Sequence, residues 1–166
     1  YRAVNNRTVV NRYPLPNIDQ MLERLNGCKV FSTFDAIWGF WQMPLAPSAI
    51  PKTAMTTPFG SYAWRCLPMG LTNSPSYFQA RMQRITRHLD FVMCYIDDII
   101  VFSKSEEEHK EHLEKLMKVL QENNIQLKEA KCHFFRRRAK FLGHVIPDEG
   151  VSPQISKIEA IEKWPV

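Results

Sequence analysis

The stretch Phe91-Val92-Met93-Cys94-Tyr95-Ile96-Asp97-Asp98-Ile99-Ile100-Val101-Phe102 decides how the rest of the chain is read. Two adjacent carboxylates stand between two apolar, β-prone flanks, so 91–102 is predicted to be a β-hairpin turning at Asp97-Asp98. Flanks this apolar bury at least one face, which puts the acids at the rim of a sheet. Two readings stay open. Asp favours turns, and a solvated turn is the plainer one. Against it, tight hairpin turns prefer Asn-Gly or Asp-Gly, and this stretch has no glycine. Neighbouring carboxylates also repel unless a cation intervenes.

A third acid, Asp35, closes another apolar run, Val30-Phe31-Ser32-Thr33-Phe34-Asp35. Alone it reads as a strand-end residue. If the two strands are neighbours, three carboxylates converge on one edge. Hard cations such as Mg²⁺ take oxygen ligands of this kind and complete their shell with substrate phosphates. Two such ions about 3.5–4 Å apart clamp both oxygens of an in-line phosphoryl displacement.

Outward from these runs, helices and hairpins alternate. A first helix is predicted over 18–26, with Ile18, Met21, Leu22 and Leu25 at helical spacing and Gly27 as the stop. Strands follow at 30–36, 40–45, 53–57 and 62–66. Ser74-Pro75 opens a second helix to Leu89, with Ser74 as cap and Arg81, Arg84, Arg87 and His88 outward. Ser105 and Glu108 form a capping box for a third helix to Glu122, and Glu106, Glu107 and Glu108 compensate its dipole. A basic stretch, 128–140, leads into a strand at 141–146. Ser152-Pro153 is expected to start a short amphipathic helix that Pro165 ends. The pattern predicts one α+β domain with an antiparallel sheet packed against helices.

Lys and Arg total 22 against 17 Asp and Glu, a net charge of +5. That excess suits a polyanion such as nucleic acid, and equally a merely basic soluble domain. The 166 residues suffice for one core, and no apolar run approaches the roughly 20 residues of a membrane span. Cys28, Cys66, Cys94 and Cys132 are too scattered for a zinc site and read as reduced thiols. With no secretory signal at Tyr1, these features point to an intracellular, cytoplasmic protein without a membrane partner.

Tyr95-Ile96-Asp97-Asp98 resembles the YxDD signature of reverse transcriptases, and the likeness runs along the chain in order. Tyr1-Arg2-Ala3-Val4-Asn5 is similar to that family's YRxLN element, and Asn11-Arg12-Tyr13-Pro14-Leu15-Pro16 to its NRYPLP. The run 31–45 resembles its first aspartate motif, and Ile50-Pro51-Lys52-Thr53-Ala54 its IPKTAF. Leu67-Pro68-Met69-Gly70-Leu71-Thr72-Asn73-Ser74-Pro75 looks like LPxGLxNSP, and Phe141-Leu142-Gly143-His144 like the FLGH primer grip. Gypsy-type LTR retrotransposons are the nearest in look. The resemblance implies a fingers–palm segment over 1–166, with the connection to a following domain starting at about 152. The fingers strands would precede Tyr1, and ribonuclease H and integrase segments would belong to the parent polyprotein.

It further implies an RNA-directed DNA polymerase. Asp35, Asp97 and Asp98 would hold two Mg²⁺ (or Mn²⁺) ions, joined by the Ala36 backbone carbonyl. Lys131 would protonate the leaving pyrophosphate. Phe40 would exclude a ribose 2′-OH, while Met69, Gly70 and Ile96 would line the deoxynucleoside triphosphate pocket. Tyr95, Phe141, Leu142, Gly143, Arg81 and Arg84 would meet the primer and its RNA or DNA template. Without the resemblance, Phe40 reads as a core aromatic, Lys131 as a surface lysine, and the arginines equally as a solvated face. Ile37-Trp38 departs from the small or polar pair usual after the first aspartate, and Met69 stands where Phe or Gln is common. Two rivals remain on the residues alone: a nucleic-acid-binding relic without turnover, and an interaction domain whose acidic pair is only a turn.

Overall fold

The computed structural model describes residues 1–146 and 152–153. The chain begins with a short helix α1 (Arg2–Asn5) and an irregular segment leading to α2 (Ile18–Glu23), which Asn17 caps by accepting from the Asp19 N–H. β1 (Val30–Asp35) follows, then a small hairpin of β2 (Met55–Thr57) and β3 (Gly60–Tyr62). α3 (Ser74–Thr86) leads into β4 (Val92–Tyr95) and β5 (Asp98–Ser103). After α4 (Glu106–Glu122) come β6 (His133–Arg136), β7 (Ala139–Phe141), β8 (His144–Ile146) and β9 (Ser152–Pro153).

The main sheet has the order β4-β5-β1-β6 and is antiparallel throughout. The hairpin strands β4 and β5 are apolar at nearly every position because both faces are covered, whereas edge strand β6 is exposed along its length. Phe34, Val92, Cys94, Ile99 and Val101 face a core shared with Phe78, Met82 and Ile85 of α3 and Leu113, Leu116 and Leu120 of α4. Phe31, Met93, Ile100 and Phe102 point the other way, onto Met21, Leu22, Leu25, Phe141 and Ile146. Successive residues thus alternate between two cores, as the two-residue period of a strand requires.

One polar group crosses the first core. His109 of α4 is fully buried, its two ring nitrogens 2.7 Å from Ser32 Oγ and 2.8 Å from Ser103 Oγ. Ser32 Oγ also accepts from the Phe135 N–H, so one imidazole ties α4 to β1, β5 and β6.

Several predicted elements come out differently. The run 40–45 is no strand. Gly39–Gln42 is a 3-10 turn entered through Trp38 at φ +52, and only Pro44 bridges to Cys66. The Gln42 side chain causes this by folding back to donate to Ile37 O, which an extended chain would carry out of reach. The expected strand 62–66 shares only Tyr62 with β3, and Cys66 makes just the bridge to Pro44. α3 ends at Thr86, three residues early, because the Thr86 hydroxyl donates to Met82 O while its carbonyl is taken by Leu89 N–H. Asn73, not Ser74, stands at its N-cap; buried Ser74 instead donates from Oγ to Pro68 O at 2.9 Å. In the expected capping box Ser105 Oγ accepts from Glu108 N–H, but Glu108 reaches past it to Lys104 N–H. The single strand 141–146 is a hairpin, turning at Leu142 (φ +51) and Gly143 (φ +82). The expected helix begins at Ser152–Pro153, which pairs with β8 as a strand, and its remainder lies outside the described residues. The four cysteines are free thiols, and no described helix is long and apolar enough to cross a membrane.

Candidate active site

β1 and β5 are in register so that Asp35 lies opposite Asp98, and Tyr95 pairs with Asp98 across the hairpin. Asp98 is therefore the first residue of β5, and the reversal falls on Ile96-Asp97 rather than on the acidic pair. Pairing with β1 holds Asp98 extended and pushes the turn back one residue. Ile96 takes φ +51 in consequence. The Ala36 N–H donates to Asp97 O at 3.2 Å, fastening the end of β1 to the hairpin tip. Asp35 and the remote pair Asp97-Asp98 thus meet at one rim of the sheet.

Their electrostatics follow from that closeness. Burial, then the charges of Asp35 and Asp98, push the Asp97 carboxyl above its ordinary range, with Lys131 opposing. Asp98 is raised likewise, by burial and then by Asp35. Lys131, on a 3-10 turn at Glu129–Lys131, donates from Nζ to Asp35 Oδ2 at 2.8 Å, and this bond raises its own pKa. Lys131 reaches the site because the segment before it docks on β1. Lys128 N–H donates to Asp35 O, Ala36 bridges to Leu127, and the Gln42 amide pairs with both backbone groups of Gln126 at 2.9 and 2.7 Å.

Behind the acids the chain is close-packed. A Cβ on Gly39 would fall 2.1 Å from Asp97 Oδ1, so the carboxylate occupies the space where a side chain would be. Beside them Trp38, 59% exposed, stacks on Trp41 at 4.7 Å, and Trp41 stacks on Trp64 at 5.5 Å. This ladder takes up the bulk of Trp38, the larger member of the Ile37-Trp38 pair.

The donor set suits a hard divalent cation. Asp97 Oδ1 is buried with no hydrogen-bond partner, an uncompensated polar atom that a cation would satisfy. Among the described residues no three His, Cys, Asp or Glu side chains are grouped closely enough to hold a metal ion by themselves. The acids make an open edge instead, the arrangement expected where water and phosphate oxygens supply the remaining ligands.

Residues 1–146 match the family model described as reverse transcriptase (RNA-dependent DNA polymerase). The chain belongs to the reverse transcriptase family. It is 39% identical to the retrovirus-related Pol polyprotein from transposon 297 of Drosophila melanogaster over 168 residues, all of this chain and 16% of that protein. It is also 39% identical to the enzymatic polyprotein of cauliflower mosaic virus, over 99% of this chain and 24% of that one. The chain thus spans a quarter or less of these relatives' length. In fold it is similar to a foamy viral protease-reverse transcriptase solved with double-stranded DNA (TM-score 0.92, 28% identity, 99% of this chain and 29% of that one). The same enzyme with an RNA/DNA hybrid gives a TM-score of 0.90 at 28% identity, covering all of this chain and 23% of that one.

The other positions expected of a reverse transcriptase fall on several elements. Ile96 and Tyr95 adjoin the acids directly. Phe40 is half-buried, immediately after Gly39, and meets Phe78 edge-to-face at 5.6 Å. Met69 and Gly70 lie on the loop before α3, with Met69 57% exposed. The N-terminal segment fixes that loop: Asn5 Nδ2 donates to Gly70 O at 2.8 Å, and its Oδ1 accepts from Thr72 N–H. Arg81 and Arg84 line a cleft of about 610 Å³ with Tyr13, Tyr77, Gln83 and Arg87. Phe141, Leu142 and Gly143 belong to the β7–β8 hairpin, with Phe141 in the second core. Arg137 pairs with Glu106 at 3.0 Å in solvent, a surface contact. Sequence reading missed Gly39, Gln42 and Gln79. Gln79 left a signal, being a polar residue directly beside Phe78 on the apolar face of α3.

Proposed function

We propose that this chain is the fingers–palm segment of an RNA-directed DNA polymerase, which joins deoxynucleotides to a primer 3′-OH on an RNA or DNA template. The observation that carries the reading is the register of β1 against β5, which sets Asp35 opposite Asp98 with Asp97 in the adjoining turn. In this reading Asp35, Asp97 and Asp98, with the Ala36 carbonyl, hold two Mg²⁺ or Mn²⁺ ions. When bound, such ions lower the pKa of the attacking hydroxyl and offset charge gathering on the transferring phosphoryl group. Lys131, fully charged at neutral pH beside Asp35, gives its proton to the departing pyrophosphate. Phe40, braced by Phe78, presents a ring that clashes with a ribose 2′-OH. Met69, Gly70 and Ile96 contact the incoming nucleotide. Tyr95 and the Phe141-Leu142-Gly143 turn hold the primer, while Arg81 and Arg84 bind template phosphates without reading sequence.

The reading extends to a parent polyprotein with ribonuclease H and integrase segments, a connection starting near 152, and a cytoplasmic location. The test is primer extension on an RNA template by the full-length polypeptide with Mg²⁺ or Mn²⁺. Extension that disappears in Asp97→Asn is the expected result. Template binding with no extension by the wild type would identify a relic instead.

A further inference from the structure

Gln79 is fully buried on α3 between the two ends of an apolar face, next to Phe78. Its amide makes two bonds to one strand end. Nε2 donates to Cys94 O at 2.9 Å, and Oε1 accepts from Ile96 N–H at 2.6 Å. The partners fix the amide's orientation, since a carbonyl accepts only and a backbone N–H donates only. These bonds bracket Tyr95 and stop one residue short of Asp97.

What they hold is a backbone that its own sequence disfavours. The hairpin turns in two residues with φ +51 at Ile96. Glycine is the residue suited to that position, and a β-branched side chain there is strained. Left alone, Ile96 would relax toward negative φ and swing the following carboxylate. The space open to Asp97 is narrow, because Gly39 lies directly behind its Oδ1. A small rotation of the turn therefore displaces the ligand itself.

We infer that Gln79 is a positioning residue that holds the Ile96 turn in its left-handed form and so aims Asp97 at the reacting centre. The inference rests on the polymerase reading above. It assigns to α3 a part in the chemistry beyond packing, exercised entirely through the Ile96 N–H and the Cys94 carbonyl.

The test compares wild type, Gln79→Leu, Ile96→Gly and the double variant in the full-length polypeptide. Three readouts are taken: Mn²⁺ affinity by electron paramagnetic resonance, kcat and KM in primer extension, and the cooperative thermal transition as a fold control. For Gln79→Leu, a supporting shell removed predicts an Mn²⁺ affinity weaker by roughly 10–100-fold, with kcat falling by a similar factor and primer–template KM unchanged. Adding Ile96→Gly to Gln79→Leu should recover part of the Mn²⁺ affinity, because glycine adopts the turn without a holder. If Gln79→Leu does not fold, Gln79→Met, unbranched and of similar length, takes its place. Wild-type Mn²⁺ affinity and kcat in a folded Gln79 variant, or loss with no recovery from Ile96→Gly, would overturn the inference and leave the polymerase reading standing. A wild type that neither binds Mn²⁺ nor extends a primer would sink both.

Discussion

Gly39 shows how little room the site leaves. It sits four residues past Asp35, at the start of a 3-10 turn, and its missing side chain is the space that Asp97 Oδ1 fills. Gly39→Ala should therefore act on the carboxylate first, since a methyl 2.1 Å from a charged oxygen cannot remain there. The expected outcome is a loss of extension rate by about 10²-fold, the scale of a misplacement near 1 Å. The fold should persist, with destabilisation of about 1–3 kcal/mol from overpacking. Single-turnover extension and a urea titration separate the two effects. An unchanged rate would mean that Asp97 has other positions from which it works equally well.

At the scale of elements, α4 is fastened to the sheet by a group that must stay neutral. Burial, and secondarily the charge of His112, hold the His109 pKa down to about 4, with Glu108 opposing. His112, which donates or accepts at Ser103 Oγ and stacks on Phe91, is lowered as well. An unfolded histidine takes its proton near pH 6.5, so between about pH 6.5 and 4 the unfolded chain binds more protons than the native one. The stabilisation is complete above that window and is lost as pH falls through it, by up to about 3 kcal/mol for His109. Urea midpoints should accordingly drop from pH 7 to pH 4.5. In His109→Gln the starting stability should be lower and the drop shallower. A wild-type midpoint flat across this range would show that the imidazole ionises in place.

Elements were legible wherever local pattern and tertiary demand agreed. The alternating cores of β4 and β5 are written in the run 92–102, and the α4 stripe in Leu113, Leu116 and Leu120. The segment 40–45 misled because its aromatic residues read as strand, whereas one side-chain bond from Gln42 to Ile37 O curls it into a turn. The hairpin reversal slipped by one residue because its position depends on pairing with β1, sixty residues away in sequence. Asp35, Asp97 and Asp98 stood out as acids among apolar neighbours. Gly39, Gln42 and Gln79 did not, since their part is to hold others, and such parts appear only when the backbone partners are known.

For the whole molecule, three acids on one edge are a liability until a cation arrives. Asp97 and Asp98 are both raised, first by burial and then by the charge of Asp35, with one exposed lysine as counter-charge. Ligand binding confined to the native state raises its stability by mass action, about 2.7 kcal/mol at a hundredfold excess over Kd. Mg²⁺ with a deoxynucleoside triphosphate should then raise Tm in the wild type and leave Asp97→Asn nearly unmoved, as thermal denaturation monitored by circular dichroism would show. An equal rise in both would place the ligand elsewhere.

The Trp38–Trp41–Trp64 ladder gives the protein a built-in optical reporter. Three of its four indoles are in face-to-face contact, and the outermost lies three positions from Asp35. Transition dipoles this close couple, so this one spot on the surface contributes a distinct exciton signal to the near-ultraviolet dichroism. Anything that settles against Trp38 perturbs that spectrum, and occupancy of the neighbouring edge becomes readable without a label.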